Sequence, residues 1–306
     1  MVGRVSGPPD VLVLGGGGIL GEAWMNGVLA GYEEASGIDL RDAGAFVGTS
    51  AGSIVATALA GGVSPVERLG RMPEQPPVTE PANEPGVPQR ALGAAASLAG
   101  GVAAPLVALA LRSTAAGGAL VRRAALARVP RGRRSLAGLG GMVEEMGTGW
   151  DGRLRVAAVE LETGRRVMFG APGAPTVRVA DAVLASCAIP GVFQPVRAGG
   201  RSYVDGGAWS PTNLDGAPAG RGDRVLCLNP TGSLRPQLAE PAGALGVVSR
   251  AIAGAEALVL RRRGAHVDTV NPDRASVEAM GTNLMDPAPR AAVTAAGLAQ
   301  GRRLAA

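Results

Sequence analysis

A serine between two glycines is the residue in this sequence best suited to do chemistry. Residues Gly48-Thr49-Ser50-Ala51-Gly52 fit the pattern G-x-S-x-G, in which a strained strand-to-helix turn exposes the serine hydroxyl. A short apolar run precedes the pattern at 45–48, and the apolar residues from about 51 to 60 predict a helix after it. The pattern therefore predicts a nucleophile at Ser50, with a plain strand-to-helix turn as the alternative.

A glycine-rich loop follows the first apolar run, at residues 15–21. The backbone N–H groups of Gly16, Gly17 and Gly18 can approach an anion closely, so they could hold an oxyanion or a phosphate. With Gly21, the same letters also contain G-x-G-x-x-G, the pattern of a dinucleotide site. Two acids, Asp39 and Asp42, follow at roughly the distance expected of a ribose-binding residue. The loop alone leaves both interpretations open.

A candidate base follows the predicted strand 201–204. Asp205-Gly206-Gly207 is a common turn sequence, but a serine nucleophile needs a base and His266 is the only histidine in the chain. His266 lies in a predicted strand, where a partly buried structural role is expected. A dyad of Ser50 and Asp205 would allow acyl transfer without histidine.

The order of the predicted elements indicates an α/β fold. Strand, glycine loop, helix, strand and helix form the βαβ pattern of a parallel or mixed sheet. Ser64-Pro65-Val66-Glu67 predicts a capped helix start, and Asp181 is expected to cap a short helix that ends at Cys187. Further predictions are a hairpin of 154–159 with 166–169, strands at 225–228 and 265–270, and helices at 242–263 and 288–304.

The segment 72–134 stands apart from the rest of the chain. Residues 72–88 carry six prolines, and residues 91–111 contain no charge. The second stretch is long enough to cross a membrane, but its Ala and Gly content favours a lid or a surface helix. Arginines then follow between Arg112 and Arg134, which suits contact with an anionic membrane. A solvated basic surface is an equally good interpretation.

Composition narrows the class of protein. The chain has 306 residues, 46% of them apolar, so one large domain over 1–306 with 72–134 as an insertion is expected. All 30 basic residues are Arg, and aromatic residues make up 3%, which argues against nucleic acid as a partner. The two cysteines lack metal or disulfide spacing. The N-terminal apolar run is too short for a signal peptide, so a cytoplasmic location is expected.

These segments together resemble the patatin-like phospholipase family. The glycine loop is similar to its oxyanion loop, Gly48–Gly52 to its nucleophile turn, and Asp205–Gly207 to its D-G-[GA] motif. Residues 185–193 and 211–213 are similar to family segments that flank this aspartate. Leu20 departs from the pattern, since many members carry Arg or Lys there.

The resemblance implies a mostly parallel central sheet with helices on both faces. It implies Ser50 as nucleophile, Asp205 as base and Gly16–Gly18 as the oxyanion hole. Gly21, Gly48, Gly52, Gly206 and Gly207 would shape these loops. The expected substrate is a lipid ester, and neither a metal nor an organic cofactor is expected. The alternatives are an acyltransferase or thioesterase, a nucleotide-binding protein, and a catalytically inactive membrane-associated protein; the oligomeric state is left open.

Overall fold

A mixed eight-stranded sheet forms the centre of the computed structural model, which describes residues 7–71, 116–233 and 242–306. The strand order is β5-β6-β3-β2-β1-β7-β8, and β4 pairs with β3 outside this path. The strands are β1 (Val11–Leu14), β2 (Ala45–Thr49), β3 (Leu154–Glu160), β4 (Arg166–Phe169), β5 (Val196–Ala198), β6 (Arg201–Asp205), β7 (Arg224–Leu228) and β8 (His266–Val270).

Five of these strands, β3, β2, β1, β7 and β8, run parallel. The strands β4 and β6 run antiparallel to β3, and β5 runs antiparallel to β6. The expected fold class, a mixed and mostly parallel α/β sheet, is confirmed. Since the chain leaves β1 and β2 at the same edge, the glycine loop and the G-x-S-x-G turn meet there.

Both faces of the sheet are buried, which explains the continuous apolar runs in its central strands. Leu12, Leu14 and Phe46 pack into one core cluster. Val11, Val13 and Val47, which point the opposite way, pack into a second. Because neighbouring strand residues alternate between faces, helical layers cover the sheet on both sides.

The helices of the described residues are α1 (Gly18–Ser36), α2 (Ala51–Ala60), α3 (Pro65–Arg71), α4 (Ala116–Leu126), α5 (Ala137–Glu145), α6 (Val179–Cys187), α7 (Ala242–Arg262), α8 (Arg274–Met280) and α9 (Arg290–Ala305). The capped start of α3 is confirmed, because Ser64 Oγ accepts from Glu67 N–H and Glu67 Oε2 accepts from Ser64 N–H. The expectation that Asp181 caps α6 is wrong. The helix begins at Val179, and the Asp181 carboxylate instead pairs with the Arg178 side chain.

A seam of glycines joins α1 to α9. A Cβ atom on Gly31 would collide with the Leu298 carbonyl, and one on Gly301 with the Val28 carbonyl. Gly27 and Gly297 are placed in the same way, so only glycine permits this backbone approach. Trp24 Nε1, on α1, also donates to Gln300 Oε1 on α9 at 2.9 Å.

The Pro-rich stretch 72–88 and the uncharged stretch 91–111 lie outside the described residues. Within the described residues, none of the helices combines the length and apolar character that crossing a membrane requires.

Candidate active site

Ser50 lies at the strained turn that the sequence predicts. Its backbone has φ 51° and ψ −123° at the junction of β2 and α2, a conformation that non-glycine residues rarely adopt. A side chain at Gly48 would collide with Ser53, and one at Gly52 would collide with the Leu14 carbonyl. The close packing of the turn therefore requires glycine at both positions. Ser50 itself is 9% exposed.

The backbone of Ser50 is held on both sides. Its N–H donates to Ser186 Oγ at 2.9 Å, and its carbonyl accepts from Ser53 N–H at 2.8 Å and Ser53 Oγ at 2.6 Å. Ser186 belongs to α6, within the segment 185–193 that resembles the family. This segment thus supports the turn directly.

Asp205 lies beside Ser50 at the end of β6. β6 pairs Asp205 with Ala158 of β3, and β3 in turn pairs Ala157 with Thr49 of β2. Asp205 Oδ1 accepts from Gly207 N–H at 2.6 Å, while a Cβ on Gly206 would collide with the Ala157 carbonyl. Gly206 is thus needed for the chain to pass close to β3, and the Gly207 N–H orients the carboxylate.

The environment of Asp205 suits a base. Burial raises the pKa of Asp205 to about 6, while hydrogen bonds from Gly207 and from the Ser50 side chain act in the opposite direction. The raised pKa makes the carboxylate a better proton acceptor than an exposed aspartate and leaves it mostly ionised at neutral pH.

The glycine loop faces the same turn. A Cβ on Gly16 would lie 3.3 Å from Ser50 Cβ, so the loop and the serine are in close contact. Gly16 N–H donates to the Pro211 carbonyl at 2.8 Å and is not available to an oxyanion. Among the described residues, the N–H groups of Gly17 and Gly18 have no hydrogen-bond partner. They form the amino end of α1, where the helix dipole favours negative charge.

Close packing accounts for the other loop glycines. Gly18 has φ 60°, and a Cβ there would lie 2.7 Å from Met285 Sδ. A Cβ on Gly21 would lie 3.1 Å from Pro230 Cβ. The loop is therefore enclosed by residues that follow β7 and precede α9.

Asn213 connects the serine turn to the aspartate loop, a role that sequence reasoning missed. Its Nδ2 donates to Thr49 Oγ1 at 3.1 Å, to the Gly206 carbonyl at 3.2 Å and to the Ser210 carbonyl at 2.8 Å. Its φ of 49° falls in the left-handed region that asparagine tolerates best among residues with side chains. The residues next to Ser50 and Asp205 are thus tied by one buried amide.

Glu256 of α7 holds the residues on either side of Asn213. Its carboxylate accepts from Thr212 Oγ1 at 2.7 Å and from Leu214 N–H at 2.9 Å. Burial and the nearby Asp215 raise the pKa of Glu256 to about 7, and hydrogen bonds including that from Thr212 oppose the shift. The residues that flank Asn213 are therefore held by a helix far along the chain.

A largely apolar pocket opens beside Ser50. Its volume is about 80 Å³, on a measure in which one water needs roughly 10–15 Å³. Apolar side chains from four parts of the chain line it: Ile19, Ile54, Leu136, Leu139, Ile189 and Phe193. Three charged side chains, Glu22, Arg68 and Arg290, also face it. The pocket can therefore receive an apolar group next to the hydroxyl.

Other candidate residues lie away from this site. His266 is exposed at the first residue of β8, so the expectation of a partly buried histidine is wrong. Asp39 and Asp42 precede β2, at the edge of the sheet opposite Ser50, and Asp39 pairs with Arg41. Within the described ranges, His, Cys, Asp and Glu side chains form no cluster that could hold a metal ion.

Comparisons with known proteins agree with the resemblance. The family model of patatin-like phospholipase matches residues 95–218, which confirms the similarity around Asp205 and residues 185–193. Ser50 and the glycine loop precede the matched range. No curated protein matches the sequence.

Similar solved structures include VipD from Legionella pneumophila, at 15% identity and a TM-score of 0.40, covering 97% of this chain and 66% of that chain. The type III effector ExoU matches at 16% identity and a TM-score of 0.39, covering 97% and 52%. ExoU in its complex with SpcU from Pseudomonas aeruginosa matches at 21% and 0.38, covering 97% and 51%. The chain therefore spans between half and two thirds of the chains it matches.

Proposed function

We propose that the chain is a lipid acyl hydrolase in which Ser50 is the nucleophile and Asp205 the general base. One observation carries the proposal: the strained turn places the Ser50 hydroxyl against a buried carboxylate whose pKa is raised to about 6. A structural turn has no need for either the backbone strain or the buried charge.

The mechanism follows from the groups around Ser50. Asp205 accepts the hydroxyl proton as Ser50 Oγ attacks the ester carbonyl. The negative charge that develops on the carbonyl oxygen is stabilised by the N–H groups of Gly17 and Gly18, each worth about 3 kcal/mol in such sites. When the tetrahedral species collapses, Asp205 returns the proton to the leaving alcohol and the acyl group stays on Ser50. Water then attacks this ester by the same steps and releases the acid.

The pocket supports an acyl substrate. Its wall consists of Ile, Leu and Phe side chains. Binding an alkyl chain against this wall removes the chain from water, which stabilises the complex by about 0.8 kcal/mol for each buried methylene. A lipid ester, such as a phospholipid or a lysophospholipid, is the substrate class in best agreement with this wall. The same acyl-enzyme could pass its acyl group to another acceptor, so product analysis must separate hydrolysis from acyl transfer.

Fewer of the arginines after residue 111 can contact a membrane than the sequence suggests. Arg122 is 3% exposed, donates to the Gly164 carbonyl and packs over the ring of Trp209. It is therefore not available to a lipid surface. Arg123, Arg128, Arg131 and Arg133 are exposed and remain candidates for contact with anionic lipid.

The nucleotide-binding alternative is weakened by the packing at the amino end of α1. Gly16 N–H is used by Pro211, and Leu20 N–H donates to the Leu284 carbonyl at 3.0 Å. Met285 lies against Gly18. A pyrophosphate would need these same positions.

Labelling with a fluorophosphonate probe tests the proposal. The full chain is expected to react at Ser50, Ser50→Ala is expected not to react, and Asp205→Ala is expected to react at least a hundredfold more slowly. Ser202→Ala is a matched control, because Ser202 lies on the same strand as Asp205, three residues earlier. Unchanged labelling of Ser50→Ala, or labelling of Asp205→Ala at the wild-type rate, would end the proposal. A panel of lipid esters with product analysis then identifies the reaction.

A further inference from the structure

Residues 210–214 form a buried connecting segment that lies against the glycine loop. The Pro211 carbonyl accepts from Gly16 N–H at 2.8 Å. The two proposed oxyanion donors come directly after Gly16 in the chain. A shift of the connecting segment would therefore move these donors relative to the serine.

The connecting segment also contacts the loops of the other two reacting groups. The Thr212 carbonyl accepts from Thr49 Oγ1 at 3.3 Å, one residue before the proposed nucleophile. Asn213 Nδ2 donates to the Gly206 carbonyl at 3.2 Å, one residue after the proposed base. All three parts of the proposed active site thus meet on this segment, so the distances between them depend on where it lies.

A single carboxylate holds the connecting segment from the far side of the sheet. The helices α1 and α2 pack in the first core cluster, whereas α7 packs in the second, on the opposite face. From α7, Glu256 Oε2 accepts from Thr212 Oγ1 at 2.7 Å and from Leu214 N–H at 2.9 Å. The side chain of Glu256 therefore holds the segment on either side of Asn213.

Stability does not account for a glutamate at this position. Burial and the nearby Asp215, which is itself paired with Arg166, raise the pKa of Glu256. On β7, burial and the charge of Glu256 raise the pKa of the Cys227 thiol. A raised carboxyl pKa means that at pH 8, where the group is ionised in the folded and the unfolded chain, the ionised form opposes folding. A glutamine of the same size would avoid this cost.

We propose that Glu256 is a positioning residue for the proposed reaction, which holds the connecting segment and thereby sets the distances among Ser50, Asp205 and the glycine loop. The inference rests on the proposed function. A hydrogen bond to a charged acceptor is roughly twice as strong as one to a neutral acceptor, so the carboxylate holds the segment more firmly than an amide would. Neither Glu256 nor residues 210–214, all within the described part of the chain, line the pocket beside Ser50. The effect is therefore on the rate of the chemical step and not on substrate binding.

Glu256→Gln in the full-length protein tests the proposal, with p-nitrophenyl butanoate as the substrate at pH 8. A displacement of about 1 Å can cost about 100-fold in rate, and the weaker hold of the amide is expected to lower kcat by about 10-fold with KM within about twofold of wild type. The midpoint of urea unfolding is expected to be equal or higher, because the buried charge is gone. A purely structural role predicts the reverse, a lower midpoint with kcat lost only in proportion to the unfolded fraction.

Thr212→Val tests the same connection from the other partner. Valine keeps the shape of threonine but removes the hydroxyl that donates to Glu256. This variant is expected to lower kcat by about threefold, and the double variant with Glu256→Gln is expected to be little slower than Glu256→Gln alone, since both changes break one interaction. Effects of the two changes that multiply would mean that they act separately and would contradict the proposal.

Glu278→Gln is the matched control. The Glu278 side chain on α8 is 64% exposed and pairs with Arg274. This change removes the same charge, but both kcat and the urea midpoint are expected to stay at the wild-type values. An equal loss of kcat in this variant would assign the effect to net charge and overturn the role of Glu256.

Fluorophosphonate labelling of wild type separates this inference from the proposed function. If Ser50 reacts but Glu256→Gln keeps kcat within about twofold of wild type, the positioning role is overturned and the nucleophile stands. The same conclusion follows if kcat and the urea midpoint fall together. If Ser50 of the wild type does not react, the proposed function itself fails, and the role of Glu256 fails with it.

Discussion

Replacing Asp205 with Asn is expected to abolish ester hydrolysis and, at neutral pH, to stabilise the fold. The asparagine keeps a carbonyl oxygen for the Gly207 N–H, and its NH2 group can donate to the Ser50 hydroxyl in place of the present interaction. The side chain changes little in volume. What disappears is a buried negative charge and the only proposed proton acceptor.

The size of the effect follows from the pKa of Asp205. Burial raises this pKa from 3.8 to about 6, and each pKa unit corresponds to about 1.4 kcal/mol. Above pH 6 the carboxylate is ionised in both the folded and the unfolded chain, so the folded state bears a cost of about 3 kcal/mol. Below about pH 4 both states are protonated and the cost vanishes. The free energy of unfolding of the wild type therefore decreases as pH rises from 4 to 6. That of Asp205→Asn lacks this decrease, because asparagine does not ionise.

Urea denaturation of both proteins between pH 4 and pH 8 measures the difference. The gain in free energy of unfolding from Asp205→Asn is expected to grow with pH and to level off above pH 6 at up to about 3 kcal/mol. Glu256, whose pKa is also raised, is present in both proteins and cancels in the comparison. Wild-type kcat/KM is expected to rise with pH, to reach half its maximum near pH 6 and to level off above that pH. A difference in stability that does not change with pH, or an asparagine variant that retains turnover, would refute the reasoning.

Three further predictions concern the backbone and its supports. Ser50→Gly is expected to be more stable than Ser50→Ala by about 1–3 kcal/mol in thermal or urea unfolding, because glycine tolerates φ 51°; equal stability would contradict the strain. Asn213→Ala is expected to lower the free energy of unfolding by about 2 kcal/mol and to reduce kcat more than it changes KM, since the hydrogen bonds that join the Ser50 turn to the Asp205 loop are lost; unchanged kcat would limit Asn213 to a structural role. Gly301→Ala is expected to cost about 1–3 kcal/mol, whereas Gly254→Ala, in open space on α7, is expected to gain up to about 1 kcal/mol; similar values for the two would argue against the seam.

Local patterns predict much of this fold because neighbouring residues set it. The turn around Ser50 is foreseeable from an apolar strand, two glycines and an apolar helix, and the structure has it where expected. The hairpin of β3 and β4 and the capped start of α3 follow from short sequences in the same way. The predicted cap of α6 at Asp181 is wrong because the Arg178 side chain pairs with the Asp181 carboxylate, and sequence pattern alone does not decide between two polar partners.

Long-range placement accounts for what the sequence could not predict. Arg68 and Arg290 are separated by more than two hundred residues and meet only because α3 and α9 flank α1. The role of Asn213 depends on its contact with Thr49 at the end of β2, and no spacing along the chain reveals that contact. The use of Gly16 N–H by Pro211 likewise required the fold. The proposed site is thus foreseeable in its reacting groups but not in the groups that support them.

The glycine seam between α1 and α9 has a consequence for how the proposed activity is acquired during synthesis. α1 carries the loop that faces Ser50, while α9 starts with a pocket residue and packs its backbone directly onto α1. A nascent chain that lacks residues 290–301 has Ser50, Asp205 and the glycine loop, but it lacks the helix that covers this surface of α1 and the pocket residue Arg290. Ester hydrolysis is therefore expected to begin only when this late segment docks, so the growing polypeptide stays inactive until then.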